Sequence, residues 1–211
     1  MKYTGMPAGM WILFENSFRK QLTDVLNFDK KEAETITIKA KEEYKRIIEG
    51  LPEFEKEDLF KMNIVNCAML CAFILNMNER PSVDKMAEYF EKAMMILPMK
   101  LFCKIGGKNK YSVKDLENMR KRESLRAADR NPYSWNMELF IFEDGKGYEA
   151  RFSKCGICTL MKELGLYEYT PAMCKLDYAM SEESGVTDFV RKYTLATGGP
   201  YCDCGYYQKK K

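Results

Sequence analysis

The sequence contains no histidine, and this absence removes more chemistry than any other feature. Ser-His-Asp and Cys-His catalysis within one chain, two-histidine zinc motifs and every histidine general base are excluded. Any reaction must run on Cys, Asp, Glu, Lys, Arg, Tyr, Ser or Thr. A strong charge of one sign is also missing: 34 basic against 31 acidic residues leave +3. That balance gives no electrostatic reason to expect nucleic acid or an anionic membrane as partner. Long hydrophobic runs are absent too, because the longest apolar stretch, Leu59 to Leu75, is interrupted by Lys61, Asn63 and Asn66. It reads as a buried helix rather than a membrane span. From Met1 to Lys20 the one apolar run, Met10 to Phe14, is soon followed by Glu15 and Arg19, with no cleavage-like pattern. The expectation is a cytoplasmic protein with free thiols.

What is present is an ordinary globular composition, 46% hydrophobic and 31% charged over 211 residues, enough to bury a core. The pattern predicts α+β structure: a helical region over 1–130 and an α+β region over 131–211, packed together. Trp11, Leu13, Phe14, Phe18 and Leu22 recur at spacings of three and four, ending near Asn27. Lys30 to Glu49 reads as an amphipathic helix stopped by Gly50. Glu57 to Asn76 is the most apolar helix. Ser82 is a candidate N-cap for a helix reaching about Leu97, before Pro98, and Gly106-Gly107 reads as a turn. Ser112 caps a charged stretch, Val113 to Arg130, expected to be solvated along one face. A β-hairpin follows, Trp135 to Phe142 and Tyr148 to Phe152 around Asp144-Gly145-Lys146-Gly147. Helices are predicted over Cys155 to Leu164 and Pro171 to Glu183, then strands over Thr187 to Ala196 and Tyr201 to Gln208. The simplest packing of β-β-α-α-β-β is a four-stranded antiparallel sheet with helices on one face. There are no repeats, and the terminal Lys209-Lys210-Lys211 is expected to fray.

Eight cysteines are the main chemical resource. Cys67 and Cys71 lie in the apolar helix and read as inert core. Cys103 is isolated. The other five fall late. Cys155 and Cys158 open a helix, where the dipole is expected to lower a thiol pKa. Cys174 and Asp177 are three apart on a helix and share a face. Cys202 and Cys204 alternate along a strand and point to one side. Plain packing is an equal reading for each, since free cysteine is among the most buried residue types. Cys155-Gly156-Ile157-Cys158 also fits a redox pair, although no thioredoxin-like strand-to-helix unit precedes it. Cys155, Cys158, Cys174, Cys202 and Cys204 are alternative metal ligands. Asp177, Asp188 and Asp203 are the nearby acids. Arg191 is read within a strand, its face shared with Phe189 and Tyr193, either exposed or clamping a substrate carboxylate. The Arg120 to Arg130 stretch lacks interleaved aromatics and reads as a solvated face.

The stretch Phe189-Val190-Arg191-Lys192-Tyr193-Thr194-Leu195-Ala196-Thr197-Gly198-Gly199-Pro200-Tyr201-Cys202-Asp203 resembles the ending F-x-R-x-x-T-L-A-x-G-G-x-x-C-D-F of the L-2-amino-thiazoline-4-carboxylic acid hydrolase family. Upstream, Cys155, Glu163, Gly165 and Met173-Cys174-Lys175-Leu176-Asp177-Tyr178 resemble the preceding block. The similarity is clear over about the last 60 residues, and Cys204 stands where the family usually has phenylalanine. The resemblance implies hydrolysis of a cyclic amidine, giving N-carbamoyl-cysteine, or of a related small C–N substrate. On that basis either Cys174 or Cys202 attacks as a thiolate or a carboxylate activates water directly, with Asp177 and Asp203 orienting water and moving protons. Arg191, Thr194 and Tyr193 would hold a carboxylate-bearing small molecule. No cofactor, nucleic acid or membrane is expected, and a homo-oligomer is left open. A binding protein of the same fold without turnover and a Cys-ligated metal protein are the alternative readings. An interaction protein built on the helical region lacks a sustained heptad.

Overall fold

The computed structural model describes residues 1–55, 58, 60–127 and 129–210. Glu57 and Leu59, the expected starts of the apolar helix and run, lie outside the described residues, as does Lys211.

The helical region begins with α1 (Met6–Asp24), whose Trp11, Phe14, Phe18 and Leu22 form one buried stripe. Its chain is turned by Asn27 at positive φ. In α2 (Lys30–Gly50) a capping box joins Asp29 and Glu32, satisfying two orphan amides at once. α3 (Lys61–Leu75) is buried continuously from Ile64 to Ile74, so it shows no polar face. Its Phe73 stacks on Trp11 at 5.7 Å and on Phe18 at 4.9 Å. Ser82 caps α4 (Val83–Met94) by accepting from the Lys85 N–H.

Pro98 does not end a helix. It sits in the first turn of α5 (Leu97–Gly107), where a missing N–H costs nothing because that amide has no intrahelical partner. Gly106 and Gly107 are the last residues of that helix, not a free turn. A β-carbon at Gly107 would meet the Ser184 carbonyl at 3.0 Å, so glycine there permits close packing on a later helix. α6 (Val113–Ala127) follows the Ser112 cap and stops short of Arg130. Its face is solvated as expected except at Arg126, which is buried.

The late region carries β1 (Glu138–Ile141), β2 (Gly147–Phe152), α7 (Gly156–Glu163), α8 (Thr170–Ser184), β3 (Thr187–Val190) and β4 (Cys202–Gln208). All pairings are antiparallel and the sheet order is β1-β2-β4-β3. β3 is shorter than the sequence suggested, ending at Val190 instead of Ala196. The register sets Tyr148 opposite Tyr206, Ala150 opposite Cys204 and Phe152 opposite Cys202. Strand alternation therefore puts these six side chains on one face, which packs with Met119 of α6. The opposite face leaves Phe140 exposed under the Arg151 guanidinium, 4.7 Å away. A single apolar cluster runs from Met1 through the helical region to Leu176 of α8. Among the described residues no helix is long and apolar enough to cross a membrane.

Candidate active site

Pro171 in its first turn and Gly185 at positive φ bracket α8, which presents Cys174 and Asp177 one turn apart. Arg191 lies just past the end of β3, not within a strand, and its side chain turns back onto this helix. Its Nη1 donates to Asp177 Oδ2 at 2.8 Å, and its Nη2 donates to the Cys174 carbonyl at 2.6 Å. The same Nη1 lies 3.9 Å from Cys204 Sγ. The guanidinium also faces the rings of Phe189 at 5.2 Å and Tyr178 at 5.4 Å. Arg191 is only 5% exposed at the side chain, whereas Asp177 keeps 43%. The ion pair thus has one buried partner and one that meets water.

The Cys202-Asp203 pair splits. Cys202 is buried, and its Sγ accepts the Leu195 N–H at 3.3 Å. Asp203, pointing to the other face, accepts the N–H groups of Lys192 at 3.0 Å and Tyr193 at 2.6 Å. These bonds draw 191–193 out of line with the sheet and explain why β3 stops early. Thr194 Oγ1 accepts the Ala196 N–H at 2.9 Å and caps a single 3-10 turn, Leu195–Thr197. Gly198 closes that turn at φ 81°, and a β-carbon on Gly199 would lie 2.9 Å from the Thr194 carbonyl. The Thr-Leu-Ala-x-Gly-Gly pattern is therefore a backbone device. Tyr193 packs its ring edge-on against Tyr201 at 5.6 Å. Of the expected site residues, Cys174, Asp177 and Arg191 come together with Cys204. Asp203, Thr194 and Tyr193 instead build the loop that holds Arg191.

Burial dominates the thiols around Arg191 and raises them. Burial pushes Cys174 up to about 12, against the opposing pull of Arg191. Burial also raises Cys202, although the Leu195 N–H works the other way, and raises Cys204 further. At Cys155 the helix start does not produce the expected acidic thiol. A hydrogen bond with Cys158 and then burial raise it, and the N–H groups of Cys158 and Ile157 oppose this without prevailing. Gly156 between them is needed for packing, since a β-carbon would collide with the Tyr133 carbonyl. Cys155 does follow β2 directly, but that strand belongs to an antiparallel sheet, unlike a thioredoxin unit. Asp177 is raised by burial and restrained by Arg191, and its open side lets water temper the burial effect. Among the described residues no three His, Cys, Asp or Glu side chains are grouped to hold a metal ion.

A cavity on the same sheet face is lined by Tyr148, Ala150, Phe152 and Tyr206 but not by Cys174, Asp177 or Arg191. Tyr206 connects the two places. Its ring lies 5.1 Å from Tyr148 and 5.1 Å from Phe189, and Phe189 in turn covers Arg191. Sequence reasoning passed over Tyr206 and Cys204 as partners of Arg191, although alternation along β4 puts them on one side with Cys202.

Residues 62–206 match the family model described as L-2-amino-thiazoline-4-carboxylic acid hydrolase, more than half of the chain. The chain belongs to this family. Neither the comparison with curated proteins nor that with solved structures returned a match. The family match reaches further upstream than the local motifs suggested, taking in α3 to α6 and the first hairpin. It leaves out α1 and α2, yet Trp11 and Phe18 of α1 stack directly on Phe73 within the family region. Membership covers the Arg191 cluster and the loop that holds it.

Proposed function

We propose that this chain is a hydrolase that opens a cyclic amidine, 2-amino-thiazoline-4-carboxylate or a close relative. Water adds to the ring carbon flanked by nitrogen and sulfur, the carbon–sulfur bond breaks, and the two water protons end on the ring nitrogen and on the departing sulfur. The product is N-carbamoyl-cysteine, with both nitrogens retained. Family membership supports the reaction class, and the Arg191–Asp177 pair beside Cys174 is the observation that carries the mechanism.

In this reading the substrate carboxylate takes Asp177's place on Arg191, whose planar fork suits a carboxylate. Asp177, released and half open to water, then accepts a proton from the attacking water and returns it to sulfur. A thiol at about 12 is ionised only on the order of 1 part in 10^5 at neutral pH, so Cys174 serves better as a wall or weak donor than as a nucleophile. Cys202 anchors the 3-10 turn. Asp203, Thr194 and Tyr193 keep Arg191 aimed.

Incubation with the thiazoline and a panel of cyclic amidines, followed by mass spectrometry, tests the reaction. The expected product is heavier by one water. Asp177→Asn should lower kcat/KM by about 10^2-fold or more, while Cys174→Ser and Cys202→Ser should keep most activity. Loss of turnover in a folded Cys174→Ser variant would restore the covalent route. Ligand-induced stabilisation without product from any substrate would favour a binding protein instead.

A further inference from the structure

The inner face of the sheet, α6 and the beginning of α3 enclose a cavity of about 280 Å³. Its walls are mainly apolar, with Met119 and Leu125 from α6, Met137 before β1, and Ala150 and Phe152 from β2. The register explains why space remains. Tyr148 and Phe152 are large, but Ala150 between them is small, and its cross-strand neighbour is the compact Cys204. Large side chains at both ends with small ones in the middle leave a flat slot over the sheet.

The polar groups around this slot are unequal. Arg126 lines it, but its charge is already engaged by Asp58 at 2.7 Å and by Asp129. Ser134 completes that network, donating to Asp58 at 2.6 Å. Arg122 differs. It is exposed at the mouth, its Nη1 lies 3.5 Å from Met119 Sδ, and it has no ion pair among the described residues. No carboxylate is among the described lining residues. Tyr148, Tyr206 and Asn63 add two phenols and an amide as further polar groups. A guanidinium unpaired among the described residues, above an apolar slot of flat section, is complementary to a monoanion with a flat, apolar body. It does not suit a multiply charged phosphate, which would ask for more than one cation, nor a neutral lipid, which would leave Arg122 without a function.

We propose that this cavity is a binding site for a planar aromatic or apolar carboxylate, with its carboxylate on Arg122 and its ring between Met119 and Phe152. The site is distinct from the Arg191 cluster and does not depend on the hydrolytic reading.

The test uses the full chain and 2-naphthoate, followed by isothermal titration calorimetry, with the neutral 2-naphthylmethanol as isostere. Naphthoate should bind with Kd of about 0.1–1 mM, the range expected for a ligand of this size. The alcohol should bind about tenfold more weakly, having lost one charge-assisted bidentate contact. Arg122→Gln, an exposed change that spares the fold, should bring naphthoate down to the level of the alcohol and leave the alcohol unchanged. Ala150→Leu, checked for native circular dichroism, should abolish binding of both by filling the slot. The proposal is overturned if naphthoate does not bind at about 10 mM, or binds no better than the alcohol. It is equally overturned if Arg122→Gln leaves naphthoate affinity unaltered.

Discussion

Cys67 and Cys71 in α3 and Cys174, Cys202 and Cys204 in the late region are the same residue type in two different settings. In α3 the sulfurs lie 3.9 Å from each other inside an apolar shell, and burial raises the Cys67 thiol well above its ordinary value. In the late region burial also raises Cys174, Cys202 and Cys204, but Arg191 and, at Cys202, the Leu195 N–H pull the other way. The neighbouring Arg191 therefore distinguishes these late thiols from those of α3 more clearly than the sulfur does. In the helical region the buried Arg126 is closed in by Asp58 and Asp129, while in the late region Arg191 is buried and its carboxylate partner stays open to water.

The sharpest way to break this contrast is to remove one aromatic ring from each region. Phe73→Ala should cost about 3–5 kcal/mol, because Phe73 is fully buried and stacks on Trp11 and Phe18. Phe189→Ala should cost about 1–2 kcal/mol, since its neighbours Tyr178 and Tyr206 are themselves partly open to solvent. Urea denaturation compares the two, and equal costs would mean that the late region is packed as tightly as the helices.

Removing the cation comes next. Arg191→Leu leaves Asp177 without its partner but still partly hydrated, so the expected loss is about 1–2 kcal/mol. That is below the roughly 3–5 kcal/mol typical when a fully buried pair is broken. Arg126→Leu, which strands Asp58 and Asp129 in a site where Asp58 is 1% exposed, should reach that larger figure. A reversed order would sink the argument from exposure.

Much of this organisation was legible in the sequence, because it rests on local rules. Ser82 and Ser112 cap helices where their spacing placed them, Gly50 and Gly185 end helices, and the aromatic runs around Asp144-Gly145 pair as a hairpin. Pro98 misled because proline marks the first turn of a helix as readily as the residue beyond its end. The length of β3 misled for a different reason. Lys192 and Tyr193 carry strand-like sequence, but Asp203 takes their N–H groups from across a turn, a contact that no local pattern reports. The Cys174–Asp177 spacing was readable, whereas the engagement of Arg191 by Asp177 needed the register of β4. Arg126 was read as part of a solvated face because its buried acids, Asp58 and Asp129, are defined by tertiary packing.

Alkaline pH tests the raised Cys174 thiol. A thiol whose pKa is higher folded than unfolded stabilises the fold fully below the unfolded value and loses that contribution as pH rises through the folded one. For Cys174 the window runs from about 9 to about 12, with a loss of up to about 1.4 kcal/mol per pH unit. Urea midpoints at pH 9, 10 and 11 should fall more steeply in the parent than in Cys174→Ala, and parallel curves would refute the raised thiol.

Lys110 should act in the opposite direction, and more weakly. Burial lowers its ammonium to about 8, while Asp115 works to hold it up, and the charge sits over the Tyr206 ring at 4.4 Å. An amine depressed in the folded state adds stability above its unfolded pKa and loses it as pH falls through the folded value. Between pH 8 and 9 this contribution should rise by up to about 1 kcal/mol, read as the difference between the parent and Lys110→Met because unfolded thiols also begin to ionise there. Lys110→Met should flatten this rise without changing the decline above pH 9. Parallel curves for the parent and Lys110→Met between pH 8 and 9 would show that Lys110 is solvated like a surface lysine, and that Tyr206 does not separate it from water.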